Sequence, residues 1–200
     1  MFIAVCAIAL LCFMSLSHSA PLACDNLVRP LDQLDLRHLE GRWALVAGSL
    51  SQPSYLERFK QRDSATVNFS SNTSDTNISY TSTILLDNAC LYNTYNISLE
   101  GSTFTYDGTD KSNLSTNFSH TSCHDCILMR INADSGKRQH FYLFSRRRAL
   151  EQKEMEEFRA QVECLHMPPP AVLDPTKDLC PEKTAGDPAA PTEDKTEERQ

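Results

Sequence analysis

The residues of this 200-residue chain that could do chemistry are cysteines, histidines and tyrosines, and the tightest cluster is Cys123-His-Asp-Cys126. Three readings of it stay open. A local Cys123–Cys126 disulfide is the simplest. With His120 and His124 the pair offers zinc ligands, but structural zinc ordinarily takes four ligands from two separated pairs. A thioredoxin-like exchange motif needs a helix start, and this segment reads as a strand junction. No Ser-His-Asp arrangement, His-Glu-x-x-His helix or Gly-rich phosphate loop occurs elsewhere. The expectation is a protein with no catalytic residue, no metal and no cofactor.

Stepping outward from that cluster, Cys24, Cys90, Cys123, Cys126, Cys164 and Cys180 form an even set, which in an oxidising compartment defaults to disulfides of any of 15 connectivities. The compartment is indicated separately. An apolar run from Phe2 to Met14 followed by small polar residues has the layout of a secretory signal peptide, expected to span residues 1–20 and to carry away Cys6 and Cys12. It is short for a membrane anchor, which needs about 20 apolar residues. Asn-x-Ser/Thr sequons at Asn68, Asn72, Asn77, Asn96, Asn113 and Asn117 point the same way. Glycans must face solvent, so these asparagines belong on loops or outward strand faces. A net charge of −7 argues against nucleic acid and anionic membrane surfaces. The expected setting is extracellular fluid such as blood plasma, with no membrane insertion.

From Trp43 to Arg146 the pattern is β, with Val, Ile, Thr, Tyr and Phe alternating with polar residues. Strands are expected at Trp43–Leu50, Ser64–Ser70, Asn77–Leu86, Leu91–Leu99, Ser102–Tyr106, Ser115–Thr121, Cys126–Ile131 and Gln139–Ser145. Glu100-Gly101, Asp107-Gly108 and Asn132-Ala-Asp-Ser-Gly136 supply turn chemistry. Gln52–Lys60 reads as a long loop with at most a helical turn. Leu150–Leu165, with Leu150, Met155, Phe158, Val162 and Leu165 on one stripe, reads as an amphipathic helix packed outside the sheet and ended by Pro168-Pro169-Pro170. The fold class is all-β: eight antiparallel strands in an up-and-down barrel or a sandwich. One domain over 21–180 precedes an acidic, solvated tail at 181–200.

Gly41-Arg42-Trp43 opens the first strand after the short helical turn Leu34-Asp-Leu-Arg-His-Leu39, and Phe141-Tyr-Leu-Phe-Ser-Arg146 ends the last strand before the helix. In that order these features resemble the lipocalins. The resemblance implies the eight-stranded barrel, with Arg146 lying over the Trp43 ring at its closed floor. The Thr-Asp-Tyr region of that family is absent, which suggests an outlying branch. Asn88-Ala-Cys-Leu-Tyr-Asn-Thr-Tyr95, Glu157-Phe-Arg-Ala-Gln-Val-Glu-Cys-Leu165 and Asp178-Leu-Cys180 are similar to orosomucoid (α1-acid glycoprotein), whereas Phe118-Ser-His-Thr-Ser-Cys123 and Gln139–Arg146 look more like apolipoprotein M. The blend resembles the tributyltin-binding and saxitoxin/tetrodotoxin-binding plasma lipocalins of fish. It implies bridges Cys24–Cys164 and Cys90–Cys180. It also shows a departure: apolipoprotein M pairs the cysteine matching Cys123 with a helix cysteine, where this chain has Glu154.

A lipocalin barrel holds one small ligand. Strand parity with Arg146 turns His140, Tyr142 and Phe144 inward. The apolipoprotein M pattern implies the same for Ile127, Met129 and Ile131 and for Tyr95 and Ile97, with Tyr55, Phe69, Tyr80, Tyr106 and Phe118 as further candidates. Tyrosine hydroxyls in an apolar cup suit an amphipathic ligand: a lipid, a steroid, an organotin or a guanidinium toxin. The expected function is reversible transport by a monomer whose partner is that small molecule; no residue specifies a cell-surface receptor. Two alternatives are a glycan-dependent immunomodulatory, acute-phase-type protein and an isomerase using a free barrel thiol, as one lipocalin lineage does. The second lacks its nucleophile if all six cysteines pair.

Overall fold

Strands that alternate apolar and polar residues must bury one face. The computed structural model, which describes residues 20–71, 78–107 and 114–182, buries that face by closing the sheet on itself. The eight long strands are β1 (Gly41–Leu50), β2 (Ser64–Ser71), β3 (Ile78–Leu86), β4 (Ala89–Glu100), β5 (Thr103–Tyr106), β6 (Ser115–Ser119), β7 (Cys126–Ala133) and β8 (Arg138–Ser145). Each pairs antiparallel with the next, and β1 pairs with both β2 and β8, so the barrel is closed and all-β. The expected bounds hold to within two residues. The β3–β4 hairpin turns on Asp87 and Asn88, both left-handed (φ 50° and 61°), the backbone that a two-residue turn matching the strand twist requires.

β1 is the seam. Its first half, Gly41–Ala44, pairs with Phe69–Thr66 of β2. Further along, its register with β8 slips between Leu45 and Ala47. That bulge lets Trp43, Leu45 and Leu50 face the barrel interior while Val46 and Ala47 face out. Where β2 leaves β1, a short strand β9 (Ala171–Val172) takes over the edge, pairing Ala171 with Gly48 and Val172 with Ala47. Leu173 follows it into the interior core. The proline run had suggested only a helix stop. The chain instead returns to complete the wall, and Ser49 and Ser64 donate to the carbonyls of Pro168 and Asp178 (2.5 and 2.6 Å) to hold it there.

Among the described residues four α-helices accompany the strands: α1 (Ala20–Leu27), α2 (Leu36–Leu39), α3 (Pro53–Lys60) and α4 (Gln152–Cys164). α4 starts at a capping box between Glu151 and Glu154. It buries Met155, Phe158 and Val162 against Val46, Leu128, Phe141 and Leu143 outside the wall, with Phe158 stacked on Phe141 at 5.4 Å. α3 corrects the expected loop: Pro53 at its first turn presets the helical φ, and Phe59 is buried as its anchor. α1 was not foreseen at all. Disulfides join Cys24 of α1 to Cys164 of α4, Cys90 of β4 to Cys180, and Cys123 to Cys126. Most of the signal-like segment, the tail beyond residue 182, and the sequons Asn72, Asn77 and Asn113 lie outside the described residues.

The lower half of the interior is filled. Trp43, Phe69, Phe104, Phe118, Ile97 and Met129 are all at most 1% exposed. Arg146 covers Trp43 from outside, its guanidinium 3.6 Å from the ring centroid. It also donates to the carbonyls of Arg42 (2.7 Å), His38 (3.0 Å) and Glu40 (2.5 Å), tying α2 to the start of β1. Trp43 itself donates to the Leu39 carbonyl at 2.7 Å. Arg146→Ala should lower stability by about 1–2 kcal/mol, since the lost cation–π and carbonyl contacts are partly open to water. Urea unfolding measures this, and ligand affinity should not change because the cavity lies at the other end.

Candidate ligand cavity

Above the filled floor the inward positions become tyrosines, and the rings lean on one another along the wall. Tyr80 (β3) stacks on Tyr95 (β4) at 6.1 Å, and Tyr106 (β5) meets Tyr95 edge-on at 5.5 Å. Between them and β7–β8 lies a cavity of about 200 Å³, lined also by Tyr55, Ser82, Asn93, Leu114, Ile131, Ala133, Arg138 and His140. Beneath α3 an adjoining chamber of about 170 Å³ shares Tyr55, Asn93 and His140 with the first. Its remaining lining is Leu50, Arg58, Gln61, Arg62, Ile84, Leu86, Leu91 and Tyr142. The two volumes together reach the lower end of the ~300–1,000 Å³ typical of small-molecule sites.

α3 roofs the second chamber because β1 carries Gly48 below it. A Cβ at Gly48 would stand 2.7 Å from Cδ1 of Tyr142 and 2.8 Å from the Phe59 ring. Only glycine permits that approach, which lets Phe59 stack on Tyr142 at 5.9 Å. At the other end of α3, Arg138 of β8 donates to the Tyr55 hydroxyl (2.5 Å) and lies 5.0 Å from the ring centroid. The helix is thus fastened at both ends, by packing and by a charged hydrogen bond.

The polar groups of the described lining are phenols, one imidazole, arginines, Ser82, Asn93 and Gln61. Burial pushes the Tyr106 phenol up to about 12, and burial with the neighbouring tyrosines raises Tyr80 well above the ordinary value. Both therefore stay protonated and can donate. Tyr106 and Thr116 share a long contact at 3.4 Å. His140 Nδ1 lies 3.1 Å from the Tyr142 hydroxyl, and its Nε2 is buried with no hydrogen-bond partner. None of the described lining residues is an aspartate or glutamate.

Of the eleven residues expected to touch a ligand, Tyr55, Tyr80, Tyr95, Tyr106, His140 and Tyr142 line the two chambers. Phe69, Ile97, Phe118, Met129 and Phe144 do not: they face inward but belong to the packed floor. Parity reports the side of the wall, not the height along the barrel. Arg58, Arg62, Arg138 and Asn93 went unnoticed. The signals were present, since Arg138 shares parity with His140, and Arg58 and Arg62 flank the anchor Phe59 at helical spacing.

At the Cys123–Cys126 loop the sulfurs are bonded to each other, and the third nearby donor, Asp125, pairs with Arg147 at 2.6 Å. Arg147 also pairs with Glu154 at 2.6 Å and holds both carboxyls below the ordinary carboxylate range. An ion-pair triad therefore stands between loop and helix at the position where apolipoprotein M was noted to carry a disulfide. Of the described sequon asparagines, Asn96 is exposed. Asn68 and Asn117 are half-buried, and Asn117 Oδ1 accepts from Thr103 at 2.5 Å.

Burial first, then the charges of Arg138 and Arg62, push His140 down from 6.5 to about 4. Its unfolded pKa is about 6.5, so between those values the unfolded chain binds more protons than the folded one. Stability should therefore fall as pH drops from about 6.5 to about 4, by up to about 1.4 kcal/mol per pH unit from this group. His140→Gln should flatten that limb in denaturant melts across the window; an unchanged slope would mean that the imidazole is solvated.

No curated protein sequence matches the chain significantly. Among solved structures, the siderocalin Ex-FABP, described as functioning through dual ligand specificities, superposes with a TM-score of 0.61 at 14% identity, over 76% of this chain and 99% of that one. At that identity the likeness speaks for the fold. A family model described as the ApoM domain matches residues 30–181, which takes in the whole barrel, α4 and the returning C-terminal segment. The chain belongs to the ApoM domain family and is a lipocalin.

Proposed function

We propose that this protein is a carrier that takes up a small amphipathic ligand reversibly through the α3 end of the barrel. The observation that carries the reading is the contrast between the two halves of one interior. Below, aromatic and aliphatic side chains are packed at 1% exposure or less; above, tyrosines line open volume. Membership of a ligand-binding lipocalin family supports the same conclusion. Apolar ring faces would contact the body of the ligand, and the phenols, Asn93 and His140 would meet its polar end. The setting we propose is extracellular. It is supported by the signal-like N-terminal segment, the paired cysteines and the outward asparagines, with Asn96 the best placed of the described ones to bear a glycan. Among the described residues no helix is long and apolar enough to cross a membrane.

The uncharged fluorophore N-phenyl-1-naphthylamine tests the carrier reading without presupposing the ligand's charge. Saturable binding in the micromolar range is expected. Ile131→Trp, which places an indole in the first chamber, should reduce affinity by about tenfold or more, and Tyr95→Ala should weaken it several-fold through lost ring contact. Absence of saturable binding below about 100 μM, or equal binding by both variants, would remove the cavity from the function.

A further inference from the structure

The Cys123-His-Asp-Cys126 loop brings together donor atoms that a ligand carrier leaves unused. Sequence spacing offered His120 and His124 as companions of the two sulfurs; the structure supplies Asp125 in their place. The His124 side chain is 95% exposed, whereas Asp125 Oδ1 lies 3.1 Å from Cys123 Sγ. The donor atoms of Cys123, Cys126 and Asp125 all lie within 4.8 Å of one another. Two soft sulfurs and a carboxylate oxygen form a donor set for a thiophilic divalent cation such as Zn²⁺, with water in the fourth position. While the sulfurs are bonded to each other the set is switched off, because the ligand form of cysteine is the thiolate.

Opening this bridge costs the fold less than opening the others. Those close 140 and 90 residues and this one closes three, and a cross-link restricts the unfolded chain more as its loop lengthens. The loop is also held by other means. Cys126 N donates to the Cys123 carbonyl at 3.3 Å, and the Asp125 carbonyl accepts from Arg146 N (3.0 Å) and Ser145 Oγ (3.1 Å). Ser122 N donates to Glu157 of α4 at 2.9 Å. Arg147, fixed between Asp125 Oδ2 and Glu154, orients the Asp125 carboxylate and keeps it ionised. Its Nη2 lies 3.5 Å from Cys123 Sγ, so its charge opposes a cation there. Two thiolates beside Asp125 and Glu154 outnumber that single guanidinium, which leaves the deprotonated loop short of positive charge.

We propose that the Cys123–Cys126 loop is a redox-gated site for a thiophilic divalent cation, closed as the disulfide and opened by a dithiol. The first thiolate of the dithiol attacks one cysteine sulfur, breaking the Cys123–Cys126 bond and forming a mixed disulfide. Its second thiol then displaces that cysteine and closes the dithiol's own disulfide. The protein gains two electrons and the dithiol loses two; the cation binds both thiolates and Asp125, and two protons pass to solvent. Both cysteines are buried, which suits a small dithiol as the reductant. The site stands outside the barrel wall between β7 and α4, so it does not depend on the carrier reading.

Graded dithiothreitol on the full chain, quenched by alkylation and read by peptide mapping, should open Cys123–Cys126 before Cys24–Cys164 and Cys90–Cys180. After anaerobic removal of the reductant, Cd²⁺ should produce cadmium–thiolate ultraviolet absorption that saturates at about one cation per chain. Zn²⁺ should displace it, and Ca²⁺ or Mg²⁺ should not. Untreated protein should give no such absorption, nor should treated Cys123→Ser/Cys126→Ser. Asp125→Asn should keep the band but weaken Cd²⁺ binding by at least about tenfold, with near-ultraviolet circular dichroism checking that the barrel is intact. If another bridge opens first, or this one opens only as the barrel unfolds, the gate is overturned. A double variant that binds Cd²⁺ like the wild type, or an Asp125→Asn protein of unchanged affinity, would overturn the site.

Discussion

An eight-stranded sheet that closes on itself must pair its first strand with its last, and here β1 takes β8 on one side and β2 on the other. Everything specific to this barrel is arranged around it. At its start Trp43 seals the floor under Arg146; at its middle the bulge moves Val46 and Ala47 out to meet α4; at its end Gly48 admits Phe59 and Tyr142. Had the bulge been missing, Ala47 and Ser49 would point inward in place of Gly48 and Leu50. A Cβ would then stand where α3 must approach. Closure therefore fixes the cavity's roof as well as its floor. The narrow bore allowed by eight strands does the rest: large rings meeting across the axis fill it below, and rings leaning along the wall leave it open above.

Segments outside the barrel are fastened both to one another and to that frame. Cys24–Cys164 and Cys90–Cys180 close loops of 140 and 90 residues, where restricting the unfolded chain is worth about 2–5 kcal/mol each. The second bridge holds the returning segment whose Leu173 plugs the place where β2 parts from β1. Cys123–Cys126 spans only three residues, so the Arg147 triad and the hydrogen bonds from Ser122 to Glu157 link its loop to α4. The two ends of the barrel use arginine differently. Arg146 is held by three carbonyls and an indole face, which suits a structural cap. Arg58 and Arg62 line the chamber beneath α3 at the opposite end.

Most of the architecture was legible because the side-chain period of a strand is two, and eight strands kept to it for a hundred residues. On β8 the inward face followed directly, and His140 and Tyr142 were named from that parity; Tyr95 came from the resemblance to apolipoprotein M, and Tyr80 and Tyr106 were further candidates. Height along the bore was not legible, because Phe118 and Tyr106 look alike in a pattern of alternation, although one packs the floor and the other borders space. α3 was read as a loop since a two-turn helix shows too few repeats to betray a period; its Pro53 and the Tyr55, Leu56, Phe59 spacing were the available hints. The cavity's charge escaped for a related reason. Arg58 and Arg62 look like ordinary solvated residues until α3, which carries Arg58 in its last turn, and the residues just after it are laid across the opening. β9 has only two residues and no pattern of its own, so the neighbouring strand defines it.

The central claim is that one interior is divided into a filled floor and a ligand chamber above it. Nuclear Overhauser contacts between protons of a bound, isotopically distinguished alkyl ligand and the labelled protein test it most directly. The account predicts contacts to Tyr80, Tyr95, Tyr106 and Ile131, and none to Phe69 or Phe118. Contacts reaching Phe69 and Phe118, or confined to exposed Leu36 and Val172 on the outside, would contradict it.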